Sequence, residues 1–173
     1  MQLEDAIELI GRRLQIGIKK QVWADLGCGT GTFTEALAGL LPEKSLVYAV
    51  DKNIAALNKI PDKYRDVTIE KLYGDFTEIK LPENLDGILM ANSLHYVSDK
   101  HAFIMKNQTH LIKQKLFLIV EYDTDIPNQW IPYPVSFNSL KLLIENLGYT
   151  IEKLRERLSI YRKEKIYSVV IRK

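Results

Sequence analysis

The stretch "DLGCGTG", Asp25 to Gly31, places glycines at the alternate positions 27, 29 and 31. A short apolar run, "QVWADL" (21–26), precedes it, and "TFTEALAGLL" follows with the apolar spacing of a helix. A strand, a glycine loop and a helix in succession indicate the first part of a parallel β-α-β unit. Ligands of open α/β sheets bind beyond the carboxyl ends of the strands, so we expect a ligand to lie against this loop.

The spacing of these glycines distinguishes two chemistries. Dinucleotide-binding loops read Gly-x-Gly-x-x-Gly, and their third glycine allows the helix to pack closely on the strand. Here the third glycine, Gly31, comes one residue earlier, and Thr32 occupies the fingerprint position. The pattern therefore disfavours a nicotinamide-dependent oxidoreductase. Thr32 and Glu35 match the T-x-x-E capping box, which predicts that the helix begins there.

Short apolar runs alternate with helical patterns along the rest of the chain. Near-continuous apolar strands separated by helices are typical of a parallel sheet covered on both faces. Two terminal β-type runs joined only by a polar turn must pair antiparallel. We predict a three-layer α/β/α fold with a mostly parallel, seven-stranded sheet and an antiparallel C-terminal hairpin. After the first strand, the predicted strands before the hairpin are 45–50, 66–73, 85–91 and 115–122. The first predicted helix contains Leu3, Ile7, Ile10 and Leu14, and the later ones are 53–60, about 100–112 and 139–147. Gly148 is expected to end the last of these helices.

Size and charge restrict the class of protein. With 173 residues, 46% of them hydrophobic, the chain suits one domain over 1–173, with its N-terminal helix within 1–20. The net charge of +2 is too small to imply a nucleic-acid or membrane partner, although residues 152–173 hold eight Lys/Arg against three Glu. Basic residues in "EKLRERL" and "YRKEK" more often form a solvated sheet face than a phosphate-binding patch, and a nucleic-acid contact stays open as the alternative.

Targeting and metal signals are weak. No apolar run approaches the ~20 residues of a membrane helix, and the N-terminus lacks the features of a secretory signal, so we expect a cytoplasmic protein. The single cysteine, Cys28, excludes an internal disulfide. The three histidines lack the spacing of zinc ligands, so we expect no metal site.

The segment "VWADLGCGTGTFTEAL" resembles the nucleotide loop of the class I S-adenosylmethionine-dependent methyltransferases, whose pattern is hydrophobic-hydrophobic-Asp/Glu-x-Gly-x-Gly-x-Gly. "GDF" (74–76), "LDGILMANSLHYV" (85–97) and the terminal hairpin match later features of that family in the same order, so the resemblance covers about residues 20–173. It implies a Rossmann-like fold, S-adenosylmethionine as cofactor and S-adenosylhomocysteine as product. The cofactor-binding residues that it implies are Asp25, Gly27, Cys28, Gly29, Gly31, Asp51, Lys52, Asp75, Phe76, Asn92 and Ser93.

The resemblance gives some of these residues roles, and others keep two readings. Asp51 is expected to accept hydrogen bonds from both ribose hydroxyls, or else to cap the next helix. Asp25 either stabilises the glycine turn or contacts the amino group of the cofactor. Asp75, with the following backbone N–H, is implied to hold the adenine edge, and Asn92 with Ser93 to lie beside the methionine end. Cys28 is expected to be a small spacer in the loop.

The acceptor is expected to lie at the mouth beyond the fourth and fifth predicted strands, in a pocket formed by His95, Tyr96, Tyr122, Trp130 and Tyr133. His95 and Asp123 are the candidate catalytic bases, in that order, although the favoured role of His95 is that of a wall residue with a hydrogen-bonded ring. The segment 122–138 is long, proline-rich and aromatic, which is typical of a lid or binding loop; packing over the sheet edge is its alternative role.

We therefore predict an enzyme that transfers a methyl group from S-adenosylmethionine to a small molecule by in-line displacement. Family members that methylate base amines or glutamine amides typically carry Asn/Asp-Pro-Pro-Tyr after the fourth strand. Here the sequence is "ANSLHY", which argues against those acceptors. RNA or protein methylation, and a catalytically silent partner protein of the same fold, are the alternatives. We expect a monomer or a homodimer without a membrane partner.

Overall fold

The computed structural model describes residues 1–11, 14, 16–158 and 165–173, with the backbone alone at 113–115. Eight strands form one sheet, in the spatial order β3-β4-β2-β1-β5-β6-β8-β7. The helices are α1 Leu3–Gly11, α2 Thr32–Leu40, α3 Ile54–Leu57, α4 Lys100–Asn107 and α5 Phe137–Asn146; the strands are β1 Val22–Leu26, β2 Leu46–Asp51, β3 Lys63–Tyr64, β4 Val67–Tyr73, β5 Leu85–Ala91, β6 Leu111–Tyr122, β7 Thr150–Leu158 and β8 Lys165–Arg172.

The pairing of the strands confirms the predicted fold class. β4, β2, β1, β5 and β6 are parallel neighbours, and β8 pairs antiparallel with both β6 and β7. The two-residue β3 pairs antiparallel with β4 and adds a strand to the predicted seven. Because β1 lies between β2 and β5, the chain order reverses on either side of it, which defines a topological switch point.

Helices cover both faces of the sheet and form two separate apolar cores. Leu9 of α1 and Leu37 of α2 pack on one face together with Trp23 of β1. Phe103 of α4 and Leu140 of α5 pack on the other face. The central strands are apolar on both sides for this reason, as the sequence pattern predicted.

Three predicted details are wrong. α2 begins at Thr32, as predicted, but Thr32 is not its N-cap: the N-cap is Gly31, at φ 89°, and no side-chain hydrogen bond caps the helix. The helix predicted near 100–112 ends at Asn107, because a short 3-10 turn and then β6, which begins at Leu111 rather than at 115, take over its last residues. The 53–60 helix is only the single turn of α3.

Other predicted boundaries have clear outcomes. Gly148, at φ 74°, follows the C-cap residue of α5, which confirms its predicted role. The first helix ends at Gly11, and Leu14 packs against the core beyond its end. The turn of the terminal hairpin, with most of "YRKEK", lies outside the described residues.

The basic residues of the hairpin are largely paired with acids. Arg155 bonds Glu8, and Arg157 lies 2.5 Å from Asp5, so β7 is fastened to α1 by two ion pairs. Glu156, on the same strand, accepts from Lys153 at 2.9 Å and from Lys165 at 2.5 Å. These contacts favour the solvated-face interpretation of the basic segment. Among the described helices, none has the length and apolarity needed to cross a bilayer.

Candidate active site

The glycine loop after β1 is folded against the end of β2. The N–H groups of Gly27 and Cys28 both donate to Val50 O, at 2.9 and 3.1 Å, and the N–H of Gly29 donates to Asp51 Oδ2 at 2.8 Å. The loop therefore curls around the carboxyl ends of β1 and β2. These hydrogen bonds hold its backbone in place.

Gly27 allows two loops to approach each other closely. Its φ is 76°, and a Cβ atom there would lie 2.6 Å from Ser93 Cβ and 3.2 Å from the Phe76 ring. Ser93 Oγ in turn donates to Leu26 O at 2.5 Å. Any larger residue at 27 would separate the loop after β1 from the loop after β5, so this glycine keeps a narrow cradle between them.

Asp51 spans the loop and the start of α3. Its Oδ2 accepts from Gly29, and its Oδ1 accepts from the N–H of Asn53 at 2.8 Å. Asn53 itself is the N-cap of α3, because its side chain accepts from the N–H of Ala56. Asp51 is therefore not the helix cap, and its carboxylate lies at the rim of the cleft beyond β2.

Asp25 lies behind the glycine loop. Its side chain is buried and accepts from Thr34 Oγ1 of α2 at 2.6 Å. Burial raises the pKa of the Asp25 carboxyl to about 7; the Thr34 hydrogen bond opposes this rise, and the Asp51 charge adds to it. The carboxyl links β1 to α2 and does not line the cleft, so its contact with a cofactor stays a prediction. Thr34 gave no sequence signal of its own.

The segment after β4 forms the opposite wall. Asp75 Oδ1 accepts from the N–H and the hydroxyl of Thr77, at 2.9 and 2.7 Å. The backbone N–H of Thr77 is the main reason that the pKa of Asp75 is lowered, and the ammonium of Lys52, 3.6 Å from Oδ2, contributes a smaller part. The Phe76 ring packs at right angles to the Phe103 ring, with centroids 6.0 Å apart, and Phe76 lines the cleft.

Together these segments enclose a cleft of about 510 Å³ at the switch point. Seven of the predicted cofactor residues meet there, while Asp25, Cys28, Gly29 and Gly31 lie outside its lining. Gly31 packs instead against Ile60, which a Cβ atom would approach to 2.8 Å. The lining residues are Gly27, Asp51, Lys52, Asn53, Asp75, Phe76, Thr77, Asn92, Ser93 and Tyr96.

A second, smaller pocket of about 200 Å³ adjoins this cleft. Asn92 and Tyr96 line both cavities, so the two share a wall. The structure brings together four of the five predicted acceptor residues in the small pocket; Tyr133 is absent from its lining. The lining residues are Asn92, His95, Tyr96, Tyr122, Trp130 and Ile131.

His95 makes the main polar contact behind the small pocket. It is only 3% exposed, and its Nδ1 lies 2.8 Å from Oε2 of Glu121, which is 1% exposed. Glu121 Oε1 also accepts from the backbone N–H of His95 at 3.1 Å. Sequence reasoning missed Glu121; its signal was an acid within the apolar run "LFLIVEY" (116–122), next to the end of a buried strand.

The aromatic segment 122–138 is anchored at several points. Asp123 Oδ1 accepts from the N–H of Phe137 at 2.8 Å, and Asp123 lies outside the lining of both cavities. Tyr133 N donates to His95 O at 3.0 Å, and Tyr133 O accepts from Lys100 Nζ at 2.7 Å. The buried hydroxyl of Tyr167 donates to Val135 O. These bonds bind the second half of the segment to the domain, and Trp130, 63% exposed, lies at its outer part.

Comparison with known proteins places this site in a family. The family model described as a methyltransferase domain matches residues 24–114. Comparison with curated proteins finds no match. Similar solved structures include the YcgJ protein of Bacillus subtilis, at 10% identity over 98% of both chains with a TM-score of 0.73. Another is a SAM-dependent methyltransferase of Aquifex aeolicus, at 21% identity over 99% of this chain and 98% of that one, with a TM-score of 0.66.

A third similar structure contains bound SAH. The magnesium protoporphyrin IX methyltransferase of Synechocystis PCC 6803, with bound SAH, is 14% identical over 91% of this chain and 75% of that one, with a TM-score of 0.67. At these identities the structures show a common fold. The family model covers more than half of the 173 residues. The chain therefore belongs to the methyltransferase domain family, and it shares the fold of S-adenosylmethionine-dependent methyltransferases.

Proposed function

We propose that this protein transfers a methyl group from S-adenosylmethionine to a small-molecule acceptor. The observation that carries the proposal is the pair of adjoining cavities at the switch point, about 510 and 200 Å³ in size. The larger holds the polar residues that suit a nucleoside, and the smaller is mainly aromatic. Because Asn92 and Tyr96 line both, a donor and an acceptor can meet across the shared wall.

The larger cleft has the features that S-adenosylmethionine requires. Asn92 has φ 55° and a buried Oδ1 atom, for which the described part of the chain supplies no hydrogen-bond partner. A buried acceptor of this kind fits the ammonium group of the cofactor's methionine end. At the other end of the cleft, Asp51 offers two carboxylate oxygens for the ribose hydroxyls. A side chain at Gly27 would collide with Ser93 and Phe76, which also line the cleft.

Each wall then has a part in binding. Asp51 accepts from the ribose, the Asp75 region faces the adenine, and Asn92 with Ser93 faces the methionine portion. The Phe76 and Tyr96 rings provide apolar surface that excludes water. When bound, S-adenosylmethionine supplies an electrophilic methyl group on a sulfonium. The protein's own contribution is to align the acceptor with that methyl and to keep water away.

The smaller pocket favours a compact acceptor with an apolar or aromatic body. Tyr122, Trp130 and Ile131 give it apolar walls, and the His95 ring is its main polar group. The ion pairs that occupy the basic residues of β7 reduce the support for a nucleic-acid substrate. Of the two candidate bases, His95 lines this pocket, whereas Asp123 holds the start of α5. We therefore assign the base role to His95.

Calorimetric titration with S-adenosylmethionine, S-adenosylhomocysteine and NADH tests the cofactor. We expect saturable binding of the two sulfur nucleotides alone. Asp51→Ala should weaken it about tenfold or more, since two charge-assisted hydrogen bonds are lost. Asp62→Ala is the matched control, because Asp62 is an exposed acid outside the cleft lining, and it should leave binding unchanged. No binding of either sulfur nucleotide would overturn the proposal and favour a silent partner protein.

A screen for S-adenosylhomocysteine release tests the acceptor class. Small phenols, enolisable carbonyl compounds and thiols are compared with total RNA and with a mixture of unmodified proteins. Turnover with a small compound is expected. Turnover with RNA or protein alone would overturn the small-molecule assignment while leaving the cofactor assignment intact.

A further inference from the structure

We infer that Glu121 is the positioning residue of the acceptor pocket: it holds His95 in the tautomer that leaves Nε2 able to take a proton from the acceptor. The inference deepens the proposed function and rests on it for the identity of the reaction. The contact between Glu121 and His95 is observed in the structure and does not depend on which reaction the protein catalyses. The acceptor class that follows is a compound that must lose a proton, such as a phenol or an enolisable carbon acid.

Two hydrogen bonds join Glu121 to the same histidine. Oε2 lies 2.8 Å from Nδ1 of the ring, and Oε1 accepts from the backbone N–H of His95 at 3.1 Å. A carboxylate can only accept, so the ring must donate through Nδ1–H. In a neutral imidazole the other nitrogen, Nε2, then carries the lone pair.

The surroundings make this arrangement rigid. Both side chains are almost fully buried, at 4% and 1% exposure, so water does not compete for the contact. The His95 ring lies 4.4 Å, between centroids, from Tyr96 and 6.4 Å from Tyr122, and both of these tyrosines line the small pocket. The ammonium of Lys100 donates to Val97 O and Tyr133 O; burial lowers its pKa, and the Glu121 charge opposes that change. His95 therefore borders the pocket in one orientation.

If Glu121 only stabilised the local backbone, it would not need a contact with the His95 ring. Glu121 Oε1 alone would suffice to hold the turn after β5, through the backbone N–H of His95. The second oxygen accepts from the backbone N–H of Tyr122 at 3.3 Å, and it makes a shorter contact, 2.8 Å, with the His95 ring. That ring borders the pocket that adjoins the larger cleft. The pairing of an orienting carboxylate with a histidine is the arrangement that general-base catalysis uses.

The proton transfer balances with the methyl transfer. The acceptor's O–H or C–H proton moves to Nε2 of His95, and the electron pair of that bond forms the new bond to the methyl carbon. The bond from sulfur to the methyl carbon breaks, and its electron pair stays on sulfur. The imidazolium that forms keeps its Nδ1–H bond to the Glu121 carboxylate, which stabilises the positive charge.

Nitrogen-15 NMR of the histidine rings tests the positioning. The chain has three histidines, so His95→Gln identifies the signals by their loss. In the wild type we expect the Nδ1–H tautomer at His95, with Nε2 in the acceptor range of shifts. Glu121→Gln should move Nε2 to the donor range, because the amide NH₂ can donate to Nδ1 while the amide oxygen still accepts from the backbone of His95.

The matched control is Asp123→Asn, which removes a neighbouring carboxylate that bonds Phe137 and not His95, and it should leave the tautomer unchanged. An Nε2–H tautomer in the wild type, or an unchanged tautomer in Glu121→Gln, would overturn the inference.

Calorimetry with S-adenosylhomocysteine separates this inference from the proposed function. Glu121→Gln should bind the nucleotide within about twofold of the wild type, because Glu121 does not line the larger cleft. If neither the wild type nor Glu121→Gln binds it, the proposed function is overturned, and the NMR result alone then decides whether Glu121 fixes the tautomer of His95. A loss of binding in Glu121→Gln alone would overturn the assignment of Glu121 to the acceptor pocket.

Discussion

Replacing Asp25 by Asn should remove a pH dependence of stability that this carboxyl imposes on the domain. Asp25 is 1% exposed, and burial is the largest cause of its raised pKa. The folded value is about 7, against an ordinary 3.8. Below pH 3.8 both states are protonated and the stabilisation is fully present. As the pH rises toward 7, the unfolded chain releases the proton while the folded chain retains it, so stability falls.

The size of this effect follows from the two pKa values. Each pH unit between them costs about 1.4 kcal/mol, so the full loss above pH 7 is about 4 kcal/mol. Between pH 5 and pH 8, where the measurement is practical, the loss is roughly 3 kcal/mol. The Thr34 hydroxyl lowers the pKa by its hydrogen bond, so Thr34→Val should move the end of the fall to higher pH.

Urea denaturation at pH 5 and pH 8 measures the effect. The wild type should lose about 3 kcal/mol more of its free energy of unfolding than Asp25→Asn over this interval. The Asn amide is neutral, and its oxygen can still accept from Thr34. Asp62→Asn removes one negative charge from a side chain that is 90% exposed, and the wild-type fall should persist in it. Equal falls in the wild type and Asp25→Asn would refute the reasoning.

Three further changes test the packing of the site. Gly27→Ala should lower the free energy of unfolding by about 2–4 kcal/mol in urea denaturation, through backbone strain and collision with the loop after β5. Gly29→Ala is the control: its added Cβ meets nothing within 4 Å, so it should cost about 1 kcal/mol. Equal losses in the two variants would contradict the close approach of the two loops at Gly27. Gly87→Ala places a Cβ 2.5 Å from the Trp23 ring, so we expect a loss of about 3 kcal/mol and a changed tryptophan fluorescence; an unchanged melting curve would show that the ring can move aside. Asn53→Ala removes the cap of α3 and should cost about 1 kcal/mol in the same assay, while a neutral result would mean that the Asp51 contact alone holds this turn.

The fold was largely predictable because its signals are local. Apolar strands alternate with helical patterns, and the glycine loop identifies the first strand of the series, so the parallel order follows from general rules of connection. The predictions were wrong at positions where two local sequence signals compete. Thr32 and Glu35 match a capping box, but Gly31 in a left-handed conformation already occupies the N-cap position. The helix predicted to reach about residue 112 stops at Asn107, because a 3-10 turn and then β6, from Leu111, follow it.

The polar contacts of the site were less predictable, because each joins segments that are distant in sequence. Ser93 bonds the backbone of Leu26 across 67 positions, and His95 bonds Glu121 across 26. Their pairing depends on the register between β1, β5 and β6, which the sequence does not state. Asp25 shows the same limit: its bond to Thr34 lies on the buried side of the loop and not on the ligand side.

The two cavities differ in how they depend on the fold. The larger cleft is formed by the loops after β1, β2, β4 and β5, each of which begins with a motif that can be read locally. The smaller pocket depends on the position of β6 beside β5, which places Glu121 behind His95 and brings the segment after β6 to the pocket. We expect changes in that segment to alter the smaller pocket without disturbing the larger cleft. For this reason the cofactor can be inferred from the family, whereas the proposed acceptor class rests on the smaller pocket and on His95, the proposed base that borders it.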